Sequence, residues 1–217
     1  MASDATWDEL KTRVQHASGD ALGARERLMP RDDEGRAARP LDAPPGAAPR
    51  LGAVLLLVYP YRDEPHLPLT VRTASLRNHS GEVSLPGGGF DPADGVLEQT
   101  ALREAWEELG VPPRHVDIVA TLSPVWIPVS NFRITPFVGF IPERPPFSLA
   151  AGEVAELLET PLSAFRQPDV LQNELREVRG RHVHVPYFAI DGHKVWGATA
   201  LVLAEFVARA YGHDRKP

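Results

Sequence analysis

An α/β domain is predicted by three stretches of the chain. Residues 51–59, LGAVLLLVY, are apolar enough for a strand buried on both faces. Residues 98–109 repeat at helical rather than strand period and contain neither proline nor glycine before Gly110. Between them lies Pro86-Gly87-Gly88-Gly89, where the backbone can reach angles closed to other residues and a ligand can approach the main chain. Strand, glycine-rich loop and helix, in that order, frame the rest.

The whole chain has 217 residues, enough for one sizeable domain with a buried core. A net charge of −6 argues against general nucleic-acid binding. The absence of cysteine rules out disulfides, thiol nucleophiles and cysteine-ligated metals. Residues 1–6, MASDAT, lack the basic and apolar segments of a signal peptide. The longest apolar run is far short of the roughly 20 residues that span a bilayer. A cytoplasmic protein with no membrane partner is expected.

Residues 4–17 form an amphipathic pattern, with Ser3 or Asp4 as N-cap and Trp7, Leu10 and Val14 on one side. Residues 18–50, rich in Ala, Gly, Pro, Arg and Asp, read as an extended connection with a short helix near 24–29. After the strand at 51–59, residues 61–68 read as a turn and 67–72 as a second strand. On a helical wheel, Glu98, Leu102, Ala105, Trp106 and Leu109 gather on one side of the helix and Glu104, Glu107 and Glu108 on the other. Gly110 stops it, and Pro112 and Pro113 prevent continuation. Residues 116–124 and 134–141 read as strands joined by a loop carrying Trp126 and Phe132, which serve the core or rim. Asn131 in that loop suits positive φ. Residues 181–188 alternate as a half-buried strand with His182 and His184 exposed, and an apolar helix runs to Tyr211. The resulting division is 1–50, an N-terminal helix and connection; 51–212, the main domain; and 213–217, a tail.

Carboxylates three and four residues apart repel by a few tenths of a kcal/mol per pair, and Arg103, i,i+4 to Glu107, is at hand to offset this. A hard divalent cation such as Mg²⁺ would relieve the cluster, taking carboxylate, water and phosphate oxygens together. Taken alone, the acids suit a solvated face and the glycines a plain turn. Arg72 and Arg77, on the approach to the loop, suit bidentate phosphate contacts, or they pair with surface acids. His79 suits either a substrate contact or a bond to the loop backbone.

Taken together, Gly89, Arg103-Glu104 and Glu107-Glu108-Leu109-Gly110-Val111 resemble the Nudix box, Gly-x5-Glu-x7-Arg-Glu-x2-Glu-Glu-x-Gly-hydrophobic. The early glutamate of the box falls on Gly95, with Asp94 one residue before it. Upstream, Pro68-Leu69-Thr70-Val71-Arg72-Thr73, Arg77, Gly81 and Leu85-Pro86-Gly87-Gly88 resemble the extra motif of the coenzyme A diphosphatase family, with every spacing kept. Pro68, Thr73 and Leu85 depart from it without removing a charge or a glycine. Members of that branch often lack the early glutamate and keep a neighbouring aspartate, so Gly95 marks the subfamily. Residues 195–200, VWGATA, resemble the family's closing motif.

The resemblance implies a Nudix α/β/α sandwich with a mixed sheet. It implies Mg²⁺ or Mn²⁺ on Glu104, Glu107 and Glu108, with the Gly89 carbonyl and an extra carboxylate, Glu153. Glu156 is a weaker candidate for that role, and an exposed helix-start glutamate is the alternative for Glu153. It makes Glu104 or Glu107 the base, Arg103 the residue orienting Glu107, and Arg72, Arg77, His79, Gly87 and Gly88 the substrate contacts. The implied reaction is hydrolysis of the pyrophosphate of coenzyme A or acyl-CoA to 3′,5′-ADP and (acyl-)4′-phosphopantetheine. Alternatives are another nucleoside diphosphate derivative such as ADP-ribose, and a catalytically idle ligand-binding module. A homodimer is possible by the same resemblance.

Overall fold

The computed structural model describes residues 7–16, 21–73, 81–178 and 180–212. Helix α1 (Trp7–His16) buries Leu10 and Val14, and Trp7 meets Phe140 edge to face. The expected caps Ser3 and Asp4 lie outside the described residues. The connection is more ordered than its composition suggests. Helix α2 (Ala21–Glu26) begins before the predicted 24–29 helix, because Ala24, Leu28 and Met29 all reach the core and the chain must turn between them. A short strand, β1 (Arg31–Asp32), follows.

The sheet is built around β2 (Arg50–Tyr61). It joins β3 (Glu64–Arg72) through a tight turn in which only Arg62 and Asp63 are left-handed, at φ 49° and 66°. The predicted turn at 61–68 is therefore too long. Pro60 pairs with Pro65 and Pro68 with Glu159 inside the ladder. Strands β4 (Val83–Ser84) and β5 (Gly87–Gly89) precede helix α3 (Leu97–Leu109); then come β6 (Asp117–Thr121), β7 (Val125–Ile127), β8 (Phe132–Phe140) and β9 (Val154–Pro161). The predicted strand 116–124 is thus shorter, ending at Thr121, and β7 falls in the predicted connecting loop, with Leu122 buried between them. The main sheet runs β4-β3-β2-β8-β6, with β5 on β2, β7 on β8 and β9 on β3. Strands β2 and β8 are parallel and the other pairs antiparallel, a mixed sheet. A smaller sheet holds β10 (Leu171–Val178), β11 (Arg181–Ile190) and β12 (His193–Trp196), with β1 on β11, and α4 (Gly197–Tyr211) closes the fold.

Strand β2 is apolar throughout because both of its faces are covered. Leu56 and Val58 pack with residues of α1, α2 and α4, including Leu10, Leu201 and Phe206. Ala53, Leu55, Leu57 and Tyr59 pack with Ala101, Leu102, Ala105 and Leu109 of α3. Each fully buried leucine contributes roughly 1.5–3 kcal/mol. The architecture is the α/β/α sandwich with a mixed sheet that the sequence implied.

The buried arc of α3 is rotated from the one drawn on the wheel. Trp106 is 49% exposed, while Glu108 is buried beside Ala101, Ala105 and Leu109. Packing against β2 favours small residues at the contact, and the alanines turn the helix so that Trp106 moves out and Glu108 moves in. Gly110 ends it in the left-handed conformation, φ 72°, as expected.

Candidate active site

Three residues of the glycine-rich loop form a strand. Main-chain pairs join Gly89 to Gly52, Gly88 to Ala53 and Gly87 to Val54. Side chains are excluded there for different reasons. A Cβ on Gly87 would lie 2.4 Å from the Ala53 carbonyl oxygen, and one on Gly88 would lie 2.4–2.7 Å from the Glu104 carboxylate. The glycines thus let α3 set its acidic edge directly against the backbone of β5.

Arg103 is the hub of that edge. Its Nε donates to Asp94 Oδ1 at 2.8 Å and its Nη1 to Glu107 Oε2 at 2.8 Å, with Glu104 Oε1 2.9 Å away. Its Nη2 donates to Asp94 Oδ2 at 3.1 Å and to the Gly89 carbonyl at 3.2 Å. These carboxylates, Asp94 first, hold its pKa above the usual value. The guanidinium fork ties the helix to the glycine strand.

The box carboxylates differ in burial. Glu107 is exposed, Glu104 half-buried and Glu108 only 4% exposed. Burial raises the pKa of Glu104 despite Arg103. Burial also lifts Glu108 to about 7, against weaker opposition from the Gly87 amide, 3.5 Å from Oε1, and from the Arg72 charge. Glu153 adds repulsion to both groups, so it lies within electrostatic reach of them although exposed. Among the described residues no three such side chains yet converge as a closed ligand set, Arg103 being the cation that satisfies Glu104 and Glu107. The donor set still suits a hard divalent ion. It offers oxygens only, from carboxylates and the Gly89 carbonyl, and its most buried member, Glu108, has no cation in hydrogen-bond contact among the described residues.

Asp94 is the residue that sequence reasoning undervalued. A 3₁₀ turn at Pro92–Asp94, capped by Asp91, aims it back at α3, where it accepts from Thr100 Oγ1 at 2.8 Å as well as from Arg103. Its side chain is 6% exposed, and Arg103 above all depresses its pKa to about 2. Gly95 has φ +73°, a conformation unfavourable to glutamate. The carboxylate that grips Arg103 thus stands one residue before the box-glutamate position, and the aspartate beside a glycine there was the available signal.

Other predicted site residues are distributed as follows. Gly87, Gly88 and Gly89 adjoin Glu108, Glu104 and Arg103. Arg72 ends β3, and its charge reaches Glu108; among the described residues its buried Nε has no hydrogen-bond partner. Arg77 and His79 lie outside the described residues. The segment after Glu153 is a strand, β9, not a helix start, and Glu156 pairs with His193 at 3.2 Å. Phe132 packs over Gly52 and near Gly89, and Trp126 Nε1 donates to Asn131 Oδ1, Asn131 having φ 47°. His182 and His184 are exposed, with Asp33 3.9 and 3.3 Å away.

A glycine strand thus lies under a helix of graded carboxylates locked by one arginine, the arrangement that the box residues form in this fold. The NUDIX domain model matches residues 49–179, more than half the chain, and the chain belongs to that family as a Nudix diphosphatase. An uncharacterised Nudix hydrolase NudL of Cronobacter sakazakii is 41% identical over 157 residues, 72% of this chain and 80% of that protein. The NudL of Pectobacterium atrosepticum is 38% identical over 169 residues, 75% and 86%. Among solved structures, the MutT protein of Methanosarcina mazei aligns over 74% of this chain and 93% of its own, at 18% identity and TM-score 0.48. The NUDIX domain of Shewanella oneidensis NrtR, complexed with ADP ribose, aligns over 58% and 84%, at 22% identity and TM-score 0.46.

Proposed function

We propose that the chain hydrolyses the pyrophosphate bond of coenzyme A or its thioesters, releasing 3′,5′-ADP and 4′-phosphopantetheine or its acylated form. The observation that carries the reading is Arg72. The upstream motif assigns it to substrate, its charge reaches Glu108, and its buried Nε has no acceptor among the described residues. A buried N–H left unpaired costs about 1–3 kcal/mol, and a phosphate oxygen bound beside the box would satisfy it.

Mg²⁺ or Mn²⁺ held by Glu104, Glu107 and Glu108, with Glu153 and the Gly89 carbonyl, would neutralise the diphosphate and acidify a bound water. The protein's own part is positioning and proton transfer. Arg103 holds Glu107 and Glu104 in place; either can accept the proton of the attacking water. Gly87 and Gly88 admit the phosphates to the main chain, and Arg77 and His79 complete the substrate contacts. No protein nucleophile is required. In the test, Arg72→Ala raises KM for coenzyme A at least tenfold with a smaller change in kcat. An unchanged KM removes Arg72 from the substrate site.

A further inference from the structure

The smaller sheet ends on an open strand. β10 pairs with β11 along eight registered positions, Leu171↔Phe188 to Val178↔Arg181, without a register shift. Among the described residues nothing pairs with its other edge. Open edges are ordinarily blunted by short length, like charge, bulges or proline; β10 is eight residues long, contains neither proline nor glycine, and carries charges of both signs in Glu174, Arg176 and Glu177. One face exposes Leu171 and Leu175, at 42% and 56%. The other alternates charge: Glu174 pairs with Arg176 and with Lys194.

We propose that this edge pairs antiparallel with the same edge of a second copy, centred on Leu175, so that the two small sheets become one. The strand is self-complementary in that register. Leu175 faces its own copy, and Glu174 faces Arg176 twice. Opposite charges across a strand pair are stabilising and like charges destabilising. A register centred on Glu174 or Arg176 sets like charges opposite each other, and one centred on Asn173 leaves Arg176 without a carboxylate across the seam. Glu174, Arg176 and Lys194 then form a continuous alternating ladder.

The test exploits the absence of cysteine from the chain. Residues facing across an antiparallel pair have Cα atoms about 4.5–5.5 Å apart, within the span a disulfide bridges. Mild oxidation of Leu175→Cys should give a covalent dimer on a non-reducing gel. Asn173→Cys should not, since its copies would stand about 13 Å apart along the strand. By light scattering, the unmodified protein should have twice the chain mass, Glu174→Arg should be monomeric, and Glu174→Arg/Arg176→Glu should return to the dimer. Circular dichroism confirms that each variant is folded. A monomeric parent protein overturns the proposal, and covalent coupling of the Asn173→Cys variant overturns the register.

Discussion

Replacing Asp94 by Asn removes the charge that anchors Arg103 while keeping the size of the side chain. The depression of Asp94 from 3.8 to about 2, at about 1.36 kcal/mol per pH unit, sets an upper value of about 2.5 kcal/mol. Arg103 is 30% exposed, and solvent screening reduces this to about 1–2 kcal/mol. The sign follows from the lowered pKa. The folded protein holds the ionised form more strongly, so the stabilisation is full above about pH 4 and is lost as pH falls towards 2. For a domain of this size the variant should melt about 2–8 °C lower at pH 7, with the gap closing in acid. Because Arg103 also holds Glu107, Glu104 and the Gly89 carbonyl, kcat should fall about tenfold or more while KM changes little. Calorimetry from pH 2 to 7 and steady-state kinetics test both parts. An unchanged melting temperature and kcat at pH 7 would refute the idea that Asp94 replaces the early glutamate.

Glu108→Gln should cut turnover by orders of magnitude without unfolding the protein; near-normal kcat would sink the metal-site assignment. The raised pKa of Glu108, about 7 against 4.5, means that the metal-free protein loses stability as pH rises from about 4.5 to 7, on the order of 3 kcal/mol. Denaturation at pH 5 and pH 8 in chelator should show this loss, and the glutamine variant should lack it. Gly87→Ala strikes the main chain of β2 and should cost several kcal/mol by thermal melt. Gly88→Ala meets only the movable end of Glu104; it should fold nearly normally and lose activity, and preserved activity would mean that Glu104 need not adjoin β5.

The sandwich was legible because β2 is apolar on both faces and α3 is bounded by Gly110 and carries a periodic apolar face. The turn between β2 and β3 was not, since prolines that normally signal a break sit inside the ladder. Helical period alone put Trp106 in the core and Glu108 on the acid face. The close approach of α3 to β2, made possible by Ala101 and Ala105, is a property of two elements that no single-helix pattern contains. Arg103, Glu104 and Glu107 lie together because a helix carries i, i+1 and i+4 neighbours to one side, whereas Glu108 is turned inward. Glu153 reached the same site across some fifty residues, through the pairing of β9 with β3, and only the family resemblance signalled it. Asp94 was visible as a residue and not as a role, because the 3₁₀ turn that aims it is set by Gly95 and Asp91 together.

Substrate identity is tested most directly by product analysis after incubation with coenzyme A and, separately, ADP-ribose, each with and without Mg²⁺ or Mn²⁺. Metal-dependent release of 3′,5′-ADP from coenzyme A, with ADP-ribose left intact, is the expected result. Cleavage of ADP-ribose alone would keep the catalytic helix and contradict the assignment of the upstream motif to coenzyme A.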